Sequence, residues 1–470
     1  MNNKVIGLGL LVLSLGLVSC ITTTRNAVFV RADAGVKARN YAQVAQTLDG
    51  PDSKTYYGDK DQVLRYLDSG LLYHLGGVPK ESIKHLETAE RLIDENYTKS
   101  ISNAVASFLI NDYQLEYFGE PYEDVYVNVF KAIDYMHLGK FDDAYVEIKR
   151  ADEKLTLLGD KYAKLADSMN SSPNAKGAVK AGTTEFHNSA LARYFSALLY
   201  RATGKLDDSA IDLREIHQAF ETQPSIYDFP VPALPALSGE PGKIKLDVVA
   251  FAGRSPIKRA SNLRINTAKN LILISQQKED ENGHLNFTSI APIPFPGVDE
   301  GYNFKAELPE MVIQPSRVAK IRVVVDGVPV GELGLIEKLD SVALDTFKLT
   351  ETPTFFKTVT RTVVKGVLTQ KAKQAANQAA SGAGTLGEVL SLAGGFAADL
   401  AVDASEQADL RSARFFPGQA YVGEFSVAPG KHVVTVEYYG HNGALLYRQL
   451  LPETAYTADG LNLISSYDLE

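Results

Sequence analysis

Between Gly119 and Leu155 small and apolar residues recur at intervals of three and four, which predicts two antiparallel helices joined by a tight turn. Ala132 and Tyr135 share a face of the first helix, Gly139 closes it, and Ala144, Ile148 and Ala151 line one face of the second. The same six offsets recur upstream as Gly70, Tyr73, Gly77, Ser82, Leu86 and Ala89. They recur downstream as Ala197, Tyr200, Gly204, Ser209, Leu213 and Ile216. In each unit the small residue lets two helices approach and the aromatic residue fills the gap beside it.

This is the residue spacing of a tetratricopeptide-type repeat, and it predicts an all-α domain over 26–222. The turn glycines are 62 residues apart (139 minus 77) and then 65 (204 minus 139), not the ~34 of a regular array. Extra helices are therefore expected between the units, across Ile101 to Phe118 and Leu155 to Met169. Such an array presents a concave face suited to peptides and helices, with its tyrosines divided between contact and packing.

The pattern changes at Gln223. Pro224, Pro230, Pro232, Pro235 and Pro241 forbid a continuous helix, so 223–242 reads as a semi-rigid linker. Beyond it, 243–470 alternates with period two in short runs: Lys245 to Phe251, Asn270 to Ser275, Lys320 to Val325, Pro329 to Leu333, Tyr421 to Val427, His432 to Tyr439 and Leu445 to Leu450. Turns at Asp326-Gly327, Pro429-Gly430 and Asn442-Gly443 separate several of them. The fold class expected is α+β, with helical repeats followed by an antiparallel β domain that carries a helical insertion at about 335–410.

Within the insertion, Phe355 to Ala380 is helical in pattern. Phe355, Phe356, Val359, Val363 and Val367 lie on one side and Lys357, Arg361 and Lys365 on the other, with no acidic residue between Glu351 and Glu388. Ser381 to Val402 follows, rich in glycine, alanine and leucine. Either the valine face packs on the sheet with the small-residue segment close against it, or the two together meet a bilayer. The first reading is preferred, because the apolar run is broken by Glu388 and is too short for a standard span.

At the start, Lys4, an apolar core from Val5 to Val18 and Leu17-Val18-Ser19-Cys20 read as a secretory signal over 1–19 ending in a lipobox. Cys20 is the expected lipidation site, and it is the single cysteine of the chain, which excludes disulfides and thiolate metal clusters. The next residue is Ile21, not an aspartate, which by similarity to lipoprotein sorting favours the outer membrane. A tether over 20–25 spans at most about 20 Å, so the folded body is expected to lie against the membrane, facing the periplasm.

The chain as a whole resembles a family of bacterial envelope lipoproteins with a tetratricopeptide-like N-terminal domain. The resemblance is carried by GEPYEDV at Gly119 to Val125 leading into AIDYMHLGKFDDAYVEIKRAD, by KIKLDVVAFAGRSPIK at Lys243 to Lys258, and by ADLRSARFFPGQAYVGEFSVAPGKHVVTV at Ala408 to Val436. It implies an envelope lipoprotein and brings no catalytic residues with it.

Charge and chemistry narrow the function classes. The chain holds 470 residues with 45% hydrophobic content, enough for two sizeable cores. A net charge of −9 gives no basis for nucleic-acid binding. GAGTLG at Gly382 to Gly387 matches GxGxxG but follows a helical pattern where a dinucleotide site needs a strand. No phosphate loop, GxSxG elbow or HExxH motif occurs. His74, His85, His137, His187 and His217 read as surface or packing residues of helices, His432 and His441 flank a strand, and Asp142-Asp143 and Asp207-Asp208 read as helix caps.

The expectation is a non-enzymatic outer-membrane lipoprotein that acts as a protein-protein interaction scaffold, with an envelope protein as partner and no metal or cofactor. The alternatives are an envelope hydrolase or glycan-binding protein with a site between its domains, or an accessory lipoprotein of an outer-membrane pore or cell-wall synthase.

Overall fold

A computed structural model of the chain describes residues 27–175, 179–279, 285–380, 406–457 and 460–470. Cys20, the signal segment, the tether, GAGTLG and 381–402 lie outside the described residues.

Helices α1 (27–37), α2 (Tyr41–Asp49) and α3 (Ser53–Tyr56) lead into three helical hairpins. These are α4 (Gln62–Leu75) with α5 (Pro79–Ser102), α6 (Pro121–His137) with α7 (Phe141–Asn170), and α8 (Ala190–Ala202) with α9 (Leu206–Thr222). Each falls where the repeated offsets place it. Gly77, Gly139 and Gly204 take φ of 69°, 69° and 77°, the left-handed conformation that ends a helix without a Cβ penalty. At Gly70 a Cβ would stand 2.7 Å from Leu86 Cδ2, so α4 and α5 cross where only glycine fits. The repeat tyrosines bridge hairpins: Tyr135 donates to Glu87 of α5, and the Tyr200 and Tyr145 hydroxyls are 2.5 Å apart.

The long period has a different cause from the one expected. Leu155 to Met169 belongs to α7, which runs unbroken for 30 residues because its apolar stripe persists through Leu158, Tyr162 and Leu165. Ile101 to Phe118 adds no α-helix beyond the end of α5, and only a single 3₁₀ turn at Asp112–Gln114. Residues 103–118 form a strap across the molecule.

The strand-rich part has three four-stranded sheets. The first contains β1 (Ile244–Arg254), β8 (Gly334–Lys338), β9 (Pro417–Val427) and β14 (Leu463–Asp468), in the order β14-β1-β9-β8. The second is β12-β11-β6-β7, from β6 (Val318–Val325), β7 (Val328–Glu332), β11 (Val434–Gly440) and β12 (Leu445–Leu450). The third is β4-β3-β2-β5, from β2 (Ile257–Ala268), β3 (Leu271–Glu279), β4 (Leu285–Pro294) and β5 (Asn303–Val312). Two short strands, β10 (Gly430–His432) and β13 (Thr454–Tyr456), pair separately. Among the described residues pairing is antiparallel except between β1 and β14, which run parallel. The fold is α+β.

Alternation along β1 divides the core. Leu246, Val248, Ala250 and Ala252 face the second sheet with Ile321, Val323, Val434 and Tyr438. Val249 and Phe251 face the other way, into one cluster with Leu71, Tyr126, Phe130 and Leu198 of the helices. The helical layer and the first sheet therefore share a single core.

Helix α10 (Leu339–Ala380) begins before Phe355 and passes through Pro353. Its Val359 and Val363 pack on Leu263, Ile265, Ile274 and Phe304 of the third sheet, with Phe355 and Val367 at the margin. The opposite side is not a solvated basic face. Lys357 and Arg361 are buried, Lys357 on Asp112 and Arg361 on Glu406, while Lys365 also reaches Glu406.

Candidate functional site

The first helix of each hairpin, α4, α6 or α8, is covered by the chain's own first sheet. Phe130 packs against Phe251 and Phe416 with ring centroids 5.4 and 5.8 Å apart. Glu337 on β8 is fully buried and accepts hydrogen bonds from the hydroxyls of Tyr126, Ser189 and Tyr227 and from the Leu191 amide. Burial pushes its carboxyl up, and these donors act against that rise. Arg201 at the end of α8 grips both carboxylate oxygens of Asp247 on β1, at 2.9 and 2.7 Å. Tyr122, Tyr126 and Tyr194 are buried, so the face expected to receive a peptide is already filled.

The open surface lies on the other side, between α5 and α7. It is a groove of ≈ 980 Å³. Asp124, Asn128 and Lys131 sit on α6 at spacings of four and three, as do Glu147, Arg150 and Lys154 on α7 in the reverse order, so each set forms one stripe. With Glu90 of α5 they make a chain of alternating sign. Arg150 contacts Glu147 (3.1 Å), Lys131 joins Glu147 (2.9 Å) to Glu90 (2.7 Å), Lys154 joins Glu90 (2.9 Å) to Asp124 (2.7 Å), and Lys161 meets Asp124 (2.6 Å). Burial pushes the Glu90 carboxyl up, but Lys154 and Lys131 outweigh it and hold the group at about 2. The rim adds Glu87, Arg91, Asp94, Glu95, Glu153, Asp160 and Lys164, with Leu157 half-exposed among them.

Past the end of the groove is a cavity of ≈ 140 Å³ where α5, the strap, α7 and α10 meet. Tyr97 and Lys161 line the groove, while their neighbours Asn96 and Tyr162 line the cavity. The Tyr97 hydroxyl donates to the Lys161 carbonyl at 2.7 Å, and the Lys161 ammonium lies 4.7 Å from the Tyr97 ring centroid. This pair stands between the two spaces. The cavity is apolar on one side, with Phe118, Tyr162, Leu165, Met169, Phe347 and Leu349.

The other side of the cavity is built of ion pairs: Glu120 with Lys258, Asp112 with Lys357, and Asp409 with Arg411, which also holds Asp61. Burial works against the Lys258 charge, and Glu120 more than compensates, holding the ammonium above its ordinary range. Asp112 is pushed up by burial and brought below its ordinary range by Lys357 and Arg361. The exposed lining residues are Lys99, Asn103 and Glu116, which mark the mouth.

The residues singled out in the sequence are dispersed. Asp142-Asp143 and Asp207-Asp208 lie in the first turns of α7 and α9, inside the helices and not at the caps, where they complement the helix dipole. His74 is buried between Asp134 and Tyr467. His85 lies between the Glu81 carbonyl and Asp49. His137, exposed at the end of α6, contacts Ser465 Oγ at 2.8 Å. His432 pairs with Asp326. Among the described residues no group of three or more His, Cys, Asp and Glu is arranged to hold a metal ion, and no described helix is long and apolar enough to cross a membrane.

Reading the sequence for small and aromatic positions passed over the groove residues. Their signal was a polar stripe, Asp124, Asn128 and Lys131, on an otherwise apolar helix. Glu120, Lys258 and Arg411 are distant in sequence and left no such signal. The chain matches no family model, no curated protein and no solved structure.

Proposed function

We propose that the protein is an outer-membrane lipoprotein, held by acyl chains on Cys20, that acts as a non-enzymatic docking scaffold in the bacterial cell envelope. Its partner is an envelope protein, and the docking surface is the groove between α5 and α7. The observation that carries this reading is an open groove rimmed by exposed charges, Glu87, Arg91, Glu153 and Lys164 among them, over a chain of mutually paired charges from Arg150 to Lys161, on a helical layer whose opposite face is filled by its own sheet. Charged groups cost desolvation wherever they are packed, and their return is selectivity for a partner with the complementary pattern. The short stretch before α1 supports a body lying on the membrane, because the chain from Cys20 to residue 27 spans at most about 25 Å.

The test is cross-linking in intact envelopes with the full chain and with a rim variant, Glu153→Lys with Leu157→Arg. A stoichiometric envelope partner captured by the first and lost with the second supports the groove. Equal capture by both removes it. Cys20→Ser should release the protein from the membrane fraction, and its retention there would overturn the anchor.

A hydrolase or glycan-binding protein is the second reading. It is favoured by the carboxylates of Asp112, Glu116, Glu120 and Asp409 in a cavity between helices and strands. Three of these four already face a cation, which disposes them to hold structure and not to transfer protons.

A further inference from the structure

The cavity at the end of α5 has a shape and a chemistry of its own, independent of the groove. At ≈ 140 Å³ it matches the volume that takes up one benzene ring in a void lined by aliphatic and aromatic side chains. Its apolar wall of Phe118, Tyr162, Leu165 and Leu349 offers that environment. The wall opposite carries three ion pairs, so cations and anions cancel and no net field favours a charged ligand. An ammonium has three N–H groups and a carboxylate about four acceptor sites, which leaves Lys258, Glu120, Lys357 and Asp112 able to meet one further polar group. The ion pairs also tie the strap in place: Asp112 is held by Lys357, and the Asp112 carbonyl accepts from Arg411 at 2.8 Å. The cavity is therefore a formed space with a mouth at Lys99, Asn103 and Glu116.

We infer that this cavity is a binding site for a small uncharged amphiphile, with an apolar part about the size of one aromatic ring and a single hydroxyl or amide group. The apolar part lies against Tyr162 and Leu165, and the polar group turns to the Glu120–Lys258 pair. A carboxylate or an amine on the same ring is disfavoured, because it loses its water and meets a partner that is already neutralised.

The test is titration of the full chain with benzyl alcohol, benzoate and benzylamine, followed by calorimetry and by the shift in melting temperature. Benzyl alcohol should bind at least tenfold more tightly than either charged analogue. Ala104→Phe, which fills the cavity from the strap, should weaken benzyl alcohol at least tenfold while the protein keeps a cooperative melt. Ser100→Phe at the edge of the cavity serves the same purpose should the first variant not fold. Equal affinity for all three probes, no binding of the alcohol, or alcohol binding that survives a folded, filled variant would each overturn the inference.

Discussion

The Tyr467 hydroxyl on β14 and His74 Nε2 on α4 share a hydrogen bond of 2.8 Å across 393 residues of sequence. His74 Nδ1 in turn lies 2.8 Å from Asp134 Oδ1 on α6, so the imidazole bridges the carboxylate and the tyrosine hydroxyl. The end of the chain is thus fastened to two helical hairpins at once. Because β14 pairs in parallel with β1, the same strand carries the first sheet against the helices. One relay joins the two parts of the molecule at a buried point.

Tyr467→Phe isolates that bond. The ring still stacks on Phe251, with an interplanar angle of 7°, so packing is retained and only the hydroxyl goes. His74 is left with a buried ring nitrogen that has lost its hydrogen-bond partner, which costs about 1–3 kcal/mol. The urea midpoint should fall by that amount with the slope unchanged, and an unchanged midpoint would mean that the bond adds nothing.

The hairpins were legible because their signal is local: small residues at crossings, an aromatic one turn on, and glycine at the turn. Gly77, Gly139 and Gly204 carried it. The β strands with apolar alternation, such as Lys245 to Phe251, were also legible. In contrast, β2, β4, β5, β8, β13 and β14 were missed: β2, for one, mixes Lys258, Arg259, Asn262 and Arg264 among its apolar residues, and its order comes from pairing with β5 and from α10 above it. The covered face of the helical layer was out of reach for a similar reason. Nothing local in Phe130 or Glu337 tells that one packs on Phe251 and the other holds Tyr126, Ser189 and Tyr227. The candidate groove left a stripe on α6, whereas the cavity is assembled from Glu120, Lys258, Phe347 and Arg411, which only the fold brings together.

Two glycine substitutions in the first two hairpins should fail for different reasons. At Gly139 a Cβ meets nothing within 4 Å, so Gly139→Ala carries only the left-handed backbone penalty, about 1–2 kcal/mol. At Gly70 the backbone is helical and the new methyl collides with Leu86, an overpacking cost of about 1–3 kcal/mol. Leu86→Ala should therefore rescue Gly70→Ala in part and leave Gly139→Ala unimproved. A double-mutant cycle of melting temperatures measures this, and equal response of the two glycine variants would refute the distinction.

Glu90 sets an acid limit on the charged groove. Its folded value of about 2 lies below the ordinary carboxyl value of 4.5, so the unfolded chain binds more protons between the two. The stability it contributes is complete above about pH 4.5 and is lost as pH falls toward 2. A separation of this size corresponds to on the order of 3 kcal/mol. Glu90→Gln should destabilise the protein at pH 7 and flatten the decline in stability between pH 4.5 and 2. A decline of the same steepness in the variant would assign the acid sensitivity to other carboxylates.

Arg361 and Glu406 carry the last prediction. Arg361 is buried on α10, its Nε donates to Glu406 Oε2 at 2.8 Å, and Glu406 also accepts from Thr362 at 3.0 Å and faces Lys365 at 3.2 Å. Glu406→Gln leaves the buried guanidinium charged and without the carboxylate it touches, with Asp112 as its remaining anionic neighbour, an effect of at most about 3–5 kcal/mol. Arg361→Met removes the charge at a smaller loss, since Lys365 still faces the carboxylate. The double variant should then be more stable than Glu406→Gln alone, because the buried cation that lost its contact carboxylate is gone. Urea denaturation of the four proteins decides it, and strict additivity would show that the pair is not coupled. Coupling of that size would also account for the basic stripe on α10: Lys357 and Arg361 hold the strap and the 406–411 segment against the helix, and their charges are neutralised inside the fold.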